Sequence, residues 1–181
     1  MSGKLTLISS AVVTSPTSTV DFTSGIDSTY DEYQFWFLGV KDSASNELRI
    51  VANDGGWGVV KTSTFFQARQ HENGSTSALE YLTVYDQAQS TGQLYITKET
   101  ESHSDDQMSG CFQLFNPSST VKVKHFMSRA VHHNTSGGPG DVFVAGYYNT
   151  TTAITGIRFD PGNTAGGDTI SRGEFYLYGV S

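Results

Sequence analysis

The sequence predicts an all-β protein: a single antiparallel two-sheet sandwich, jelly-roll-like, spanning residues 1–181. Three observations lead there. Charged residues make up only 16% of the chain while aromatic ones reach 12%, a composition that folds rather than staying disordered. Thr, Tyr and Phe are frequent, and glycines punctuate the chain where strands would have to turn. Apolar and polar residues also alternate along most segments, the period-two signature of half-buried strands.

The elements follow in order. "KLTLIS" (4–9) alternates Leu5 and Leu7 with polar neighbours. "GIDSTYDEYQFWFLGV" (25–40) sets Asp27, Asp31 and Glu32 ahead of a strand that is apolar on both faces. Tyr33, Phe35 and Phe37 fall on one side, Trp36, Leu38 and Val40 on the other. Such a strand lies centrally, covered above and below, or has its outer face covered by another chain. "ELRIVA" (47–52) alternates again, and "NDGGWG" (53–58) is a glycine-rich turn into "VVKTSTFFQA" (59–68).

"STSALEYLTVYDQAQ" (75–89) reads as a short helix or irregular excursion, with Leu79, Leu82, Tyr85 and Ala88 near one helical face. Its run from Tyr81 to Tyr85 also has strand propensity. Strands resume at "QLYITK" (93–98). "GCFQLFN" (110–116) and "TVKVKHFMSRA" (120–130) are joined through Pro117, Ser118 and Ser119 as a hairpin. "NTSGGPGD" (134–141) and "PGNTAGGD" (161–168) are loops, and "VFVAGYY" (142–148), "AITGIRFD" (153–160) and "GEFYLYGV" (173–180) complete the set. Roughly nine or ten strands without intervening helices suit a sandwich and rule out a parallel βαβ sheet.

The chemistry of the sequence is sparse. Asp27, Asp31 and Glu32 sit among Ser, Thr and Gly, where an acidic side chain bonds nearby backbone N–H groups in a solvated turn. His132 and His133 are adjacent, so on a strand they face opposite ways and do not easily grip one metal ion. No cysteine or carboxylate stands beside them at ligand spacing. "SHSDD" (102–106) is contiguous, whereas a catalytic triad is assembled from separated segments. No nucleophile elbow, P-loop or dinucleotide fingerprint occurs. The chain therefore reads as a non-enzyme with no cofactor.

A net charge of −7 disfavours nucleic acid and anionic membrane surfaces as partners. Lys122 and Lys124 are expected on the solvated face of one strand. Cys111, the lone cysteine, is expected as a buried, inert thiol. The start of the chain makes a poor signal peptide, so the sequons at Asn73, Asn134 and Asn149 carry little weight. One ligand site is conceivable: Trp57, Tyr147 and Tyr148 as a stacking platform for a host surface glycan, with one of the two tyrosines in the core.

Several stretches together, "GIDSTYDEYQFWFLGV", "ALEYLTVYDQAQ", "FQLFNPSSTVKVKHFMSRA", "GYYNTTTAITGIRF" and "GEFYLYGV", resemble a family of small virion structural proteins of tailed bacteriophages, particularly aquatic ones. The resemblance runs from about residue 5 to 180 and is weakest over 41–72 and 98–109. It implies a β-sandwich subunit on the particle exterior, in capsid decoration or a tail fibre. It implies no particular functional residues. Decoration is favoured over a fibre because one sandwich leaves no room for an attachment segment or coiled coil. The expected partners are other copies of the chain, as a homo-oligomer and specifically a trimer, and other virion proteins. The alternative is a lectin-like receptor-binding module of the tail.

Overall fold

The structure, a computed structural model, describes residues 3–44, 46–98, 100, 103–133, 137–162 and 166–181. Its strands are β1 (Leu5–Val13), β2 (Val20–Phe22), β3 (Glu32–Asp42), β4 (Arg49–Asn53), β5 (Lys61–Gln70), β6 (Ser77–Tyr81), β7 (Gln87–Ser90), β8 (Leu94–Tyr95), β9 (Met108–Phe115), β10 (Lys124–His133), β11 (Pro139–Tyr148), β12 (Gly156–Asp160) and β13 (Ile170–Val180). They form two antiparallel sheets. The large one runs β1-β13-β3-β9-β10-β11-β5-β6, with β7 also on β5, and the small one runs β2-β12-β4-β8.

The pairing is nested. β1 lies beside β13, β2 beside β12, β3 beside β9 and β4 beside β8, with alternate pairs falling in opposite sheets. That is a jelly roll: a long hairpin folded over so that its successive rungs fall in alternate layers. β5, β6 and β7 are inserted between β4 and β8, and β10 and β11 between β9 and β12. All five widen the large sheet beyond the small one.

Alternation fixes which side chains meet between the sheets. Tyr33, Phe35 and Phe37 of β3 point inward and are fully buried, as are Phe112, Phe175 and Leu177 of neighbouring strands. From the small sheet, Phe159 reaches across to Phe35, Phe37 and Phe175, with ring centroids 6.5, 5.9 and 4.9 Å away, and to Phe22 at 6.3 Å. These tilted and edge-on contacts are the preferred aromatic geometries, so one ring ties both layers together.

The sequence expectations meet four corrections. Val40 does not share the outer face with Trp36 and Leu38: it is fully buried. Gly39, at φ +59°, forms a bulge that shifts register between Phe37 and Val40 and reverses the alternation. Residues 75–89 are not helical. β6 and β7 pair in succession along the free edge of β5, joined by a turn in which the Tyr85 N–H donates to the Leu82 carbonyl. The run from Tyr81 to Tyr85 is thus turn after its first residue, the last of β6, and Tyr85 packs inward on Phe65 at 5.0 Å. Pro139, Gly140 and Asp141, which the sequence places in a loop, begin β11, while 134–136 lie outside the described residues. Finally, β2 was not anticipated, and "QLYITK" is a strand only at Leu94–Tyr95.

Candidate functional site

The three acids ahead of β3 do not converge on one point. Asp27 is exposed and its carboxylate accepts from the Thr29 N–H (2.8 Å) and the Tyr33 hydroxyl (3.1 Å). Those Thr29 bonds hold its pKa below the ordinary value. The Asp31 side chain is exposed, and its backbone carbonyl accepts from the Asn116 N–H. Glu32 accepts from the amides of Gln34 (2.8 Å) and Gln113 (3.0 Å). The group is a polar turn leading into a buried strand.

The histidines separate as alternation requires. His132 is buried and turned inward over Gly140, and burial pushes its pKa down to about 4, with the charges of Lys98 and His133 adding to the effect. His133 lies at the sheet end, its Nδ1 3.0 Å from Asp106 and its Nε2 3.7 Å from Glu72. Carboxylates thus do stand near it in space, from segments too distant in sequence to suggest it. Among the described residues no group of three or more His, Cys, Asp or Glu is arranged to hold a metal. Ser102 of "SHSDD" lies outside the described residues, and Asp106 spends one carboxylate oxygen on the His103 N–H (2.8 Å).

Lys122 and Lys124 are not on one solvated face. β10 begins at Lys124, and with Phe126 facing the interior the same parity turns Lys124 inward. Its ammonium donates to the Thr150 carbonyl at 3.0 Å, while Lys122 stays exposed in the preceding turn. Lys61 is also buried. It donates to the carbonyls of Val59, Ser90 and Gly92, and desolvation lowers its pKa to about 8. No sequence signal marks either lysine as interior, because both alternate correctly only once strand starts are known.

Cys111 is half-buried rather than in the core. Register sets it between Trp36 and Arg129 on the outer face, and burial, then the charge of Glu32, pushes its thiol up to about 12.

The proposed platform does not assemble. Tyr148 is wholly interior, packed on Phe126 at 4.9 Å. Trp57 sits beside β4, bridged to Asn53, and the guanidinium of Arg158 lies 4.2 Å over its ring. Arg158 is in turn gripped by Asp21, at 2.8 and 2.6 Å. Tyr147 alone of the three lies on the outer face of the large sheet.

That outer face is the distinctive surface. Register aligns one residue from each of seven strands in a row: Tyr176, Trp36, Cys111, Arg129, Phe143, Phe66 and Tyr81. Phe66 and Phe143 stack at 5.0 Å with planes 6° apart, and Arg129 lies over Phe143 at 4.9 Å while bonding Asp141 at both ends. At the β1 edge of this face, Leu5, Trp36, Leu38, Tyr176 and Tyr178 enclose a shallow apolar depression. Towards the other edge, a groove of about 690 Å³ runs between β10, β11, β5 and the β6–β7 segment. Tyr81 and Asp86, which help to form it, lie in the stretch 75–89, which by sequence reads as a short helix or irregular excursion and so points to no shared surface.

No protein-family model matches the chain, and no curated protein or solved structure matches it.

Proposed function

We propose that the chain is a non-enzymatic structural subunit on the exterior of a tailed-phage particle, a capsid decoration protein that works as a homo-oligomer, expected as a trimer. One observation carries the reading: the apolar patch on β1, β13 and β3. Leu5, Leu7, Leu38 and Trp36 are 49, 53, 42 and 37% exposed, beside Tyr176 and Tyr178. An aromatic side chain carries roughly 150–250 Å² in all; with only about half or less of each side chain exposed, the six together still leave a few hundred Å² of apolar surface, the size of a typical monomer's largest patch, which is often functional. The strand that the sequence made apolar on both faces supplies its centre, so the excess of apolar side chains has no use inside this subunit. The phage setting rests on the resemblance of the quoted segments, with which a jelly roll carrying such a patch agrees.

Two measurements test it. Light scattering of the purified chain should give about three times 19.6 kDa, and Leu38→Lys, which changes a side chain facing outward, should return it to the monomer. Copy number in purified particles then separates the locations. Hundreds of copies fit decoration, and a few multiples of three or six fit the tail. Absence from the particles, or a wild-type monomer indistinguishable from Leu38→Lys, overturns the proposal.

A further inference from the structure

The groove at the far side of the large sheet is built differently from the patch at the β1 edge. Its floor is low because the small side chains of Ala145 and Thr64 pair across β11 and β5. Gly146, the next residue, has the opposite parity: a Cβ there would run into the Thr62 carbonyl and lie 2.7 Å from the buried Phe126 ring, so its bareness serves the interior, and only its backbone borders the groove. Tyr147, His125 and Met127 rise on one side of this channel and Tyr81 on the other.

Both tyrosines are held by their hydroxyls; the Tyr81 ring is 53% exposed, and the half-buried Tyr147 ring meets His125 edge-on at 6.5 Å. The Tyr81 hydroxyl donates to Asp86 at 2.8 Å. The Tyr147 hydroxyl accepts from the Gln89 amide at 3.4 Å, and Gln89 also donates to the Thr62 hydroxyl (2.8 Å) while accepting from Asn149 (2.9 Å). Gln89 adopts φ +49°, a left-handed conformation that a non-glycine residue keeps only where its surroundings fix it. The wall carrying Gln89 is pinned further by Lys61, whose ammonium takes the carbonyls of Ser90 and Gly92. A groove whose aromatic walls are already locked loses little entropy when it is filled.

The chemistry narrows the occupant. Two tyrosine rings over an apolar floor match a ligand with a flat C–H face. Asp86, Gln87 and Thr62 at the margins match a ligand with hydroxyls around its edge. Asp86 and the net charge of −7 repel an anion, and the groove holds no lysine or arginine among its lining residues to offset them. A neutral pyranoside has this combination of an apolar ring face and a polar perimeter.

We propose that this groove binds a neutral pyranose unit of a glycan, stacked against Tyr81 and Tyr147 with its hydroxyls directed to Asp86 and Gln87. The site differs from one built on Trp57, and it is independent of the assembly reading because it lies away from the β1-edge patch.

The test uses the purified full chain in its native oligomeric state. Saturation-transfer NMR and calorimetry are run with methyl glucoside, galactoside, mannoside and N-acetylglucosaminide, and with neutral and sialylated oligosaccharides. Saturable binding of at least one neutral sugar is expected. Tyr81→Ala and Tyr147→Ala should each weaken it roughly tenfold or more, while Trp57→Ala leaves it unchanged. Circular dichroism checks that each variant is folded, and Asp86→Asn, which keeps the side chain's shape, gives a second probe should a tyrosine variant unfold. No binding to any neutral sugar, binding that survives the tyrosine and Asp86 substitutions, preference for the sialylated ligands, or protection of the groove by a second copy in the oligomer would each overturn the proposal.

Discussion

Two buried groups titrate in the same pH range with opposite effects on stability, and separating them is a demanding check on the fold. His132 is only 2% exposed, and burial lowers its pKa from 6.5 to about 4. The unfolded chain therefore takes up a proton below pH 6.5 that the folded chain refuses until about pH 4, so acidification across this window destabilises. Asp42 is likewise 2% exposed, and burial raises its pKa from 3.8 to about 6, although the Asn46 N–H bonds its carboxylate at 2.7 Å. Here the folded chain takes the proton first, so acidification from pH 6 to 3.8 stabilises. Between pH 7.5 and 5, linkage gives a loss of about 2 kcal/mol from His132 and a gain of about 1 kcal/mol from Asp42. The two offset each other in part, so the wild type should weaken by less than His132 alone dictates.

Single substitutions unmask the two halves. His132→Phe keeps a ring over Gly140 without a titrating group, and Asp42→Asn keeps the acceptor for Asn46. On moving from pH 7.5 to 5, His132→Phe should gain about 1 kcal/mol of stability relative to a pH-independent background, and Asp42→Asn should lose about 2 kcal/mol. The assay is urea unfolding at both pH values, read as the change in midpoint at constant slope. Asp27 and Glu80, lowered by their bonds from Thr29 and Arg69, and Asp160, raised by burial, are common to all three proteins and cancel in the comparison. If both variants follow the wild type across the window, neither side chain is buried as described, and the interior at this end of the sandwich is wrong.

Phe159→Ala removes the ring that meets Phe22, Phe35, Phe37 and Phe175, and should cost about 3–5 kcal/mol in thermal or urea unfolding. Phe66→Ala, which loses only its outer-face stack on Phe143, should cost about 1.5 kcal/mol or less. Gly39→Ala should destabilise by about 1–2 kcal/mol because φ is +59° there, and a larger effect on amide-exchange protection at Val40 than at Phe35 would identify the bulge as the cause. With its thiol pushed from 9.0 up to about 12, Cys111 should hold far less thiolate at neutral pH than in the urea-unfolded chain and react with maleimide at least about tenfold more slowly, the loss of thiolate being offset in part by its greater nucleophilicity.

Much of the sandwich is written into local sequence. The alternation of Tyr33, Phe35 and Phe37 with Gln34 and Trp36 dictates a strand with one interior face, and the turn chemistry around Asp27 and Asn116 dictates where strands end. Those signals act between neighbours, so they survive without knowledge of partners. Pairing does not. That β1 lies beside β13, and that β6 and β7 lengthen the sheet along β5 instead of coiling into a helix, is decided by which distant edges remain open for backbone hydrogen bonds. Leu79, Leu82 and Tyr85 fit a helical face and a strand-turn equally well on paper. The free edge of β5 settles the matter.

The same division runs through the functional surface. The sequence by itself determined that this chain carries more aromatic side chains than a single-faced strand can bury, and that one of Tyr147 and Tyr148 had to be interior. Only the tertiary structure decided that Trp57 serves Arg158, that one glycine at position 39 returns Val40 to the core, and that Tyr81 stands across a channel from Tyr147. The physical reason is range. Alternation is a property of adjacent residues, whereas a groove is made by strands that meet only after the chain has closed on itself.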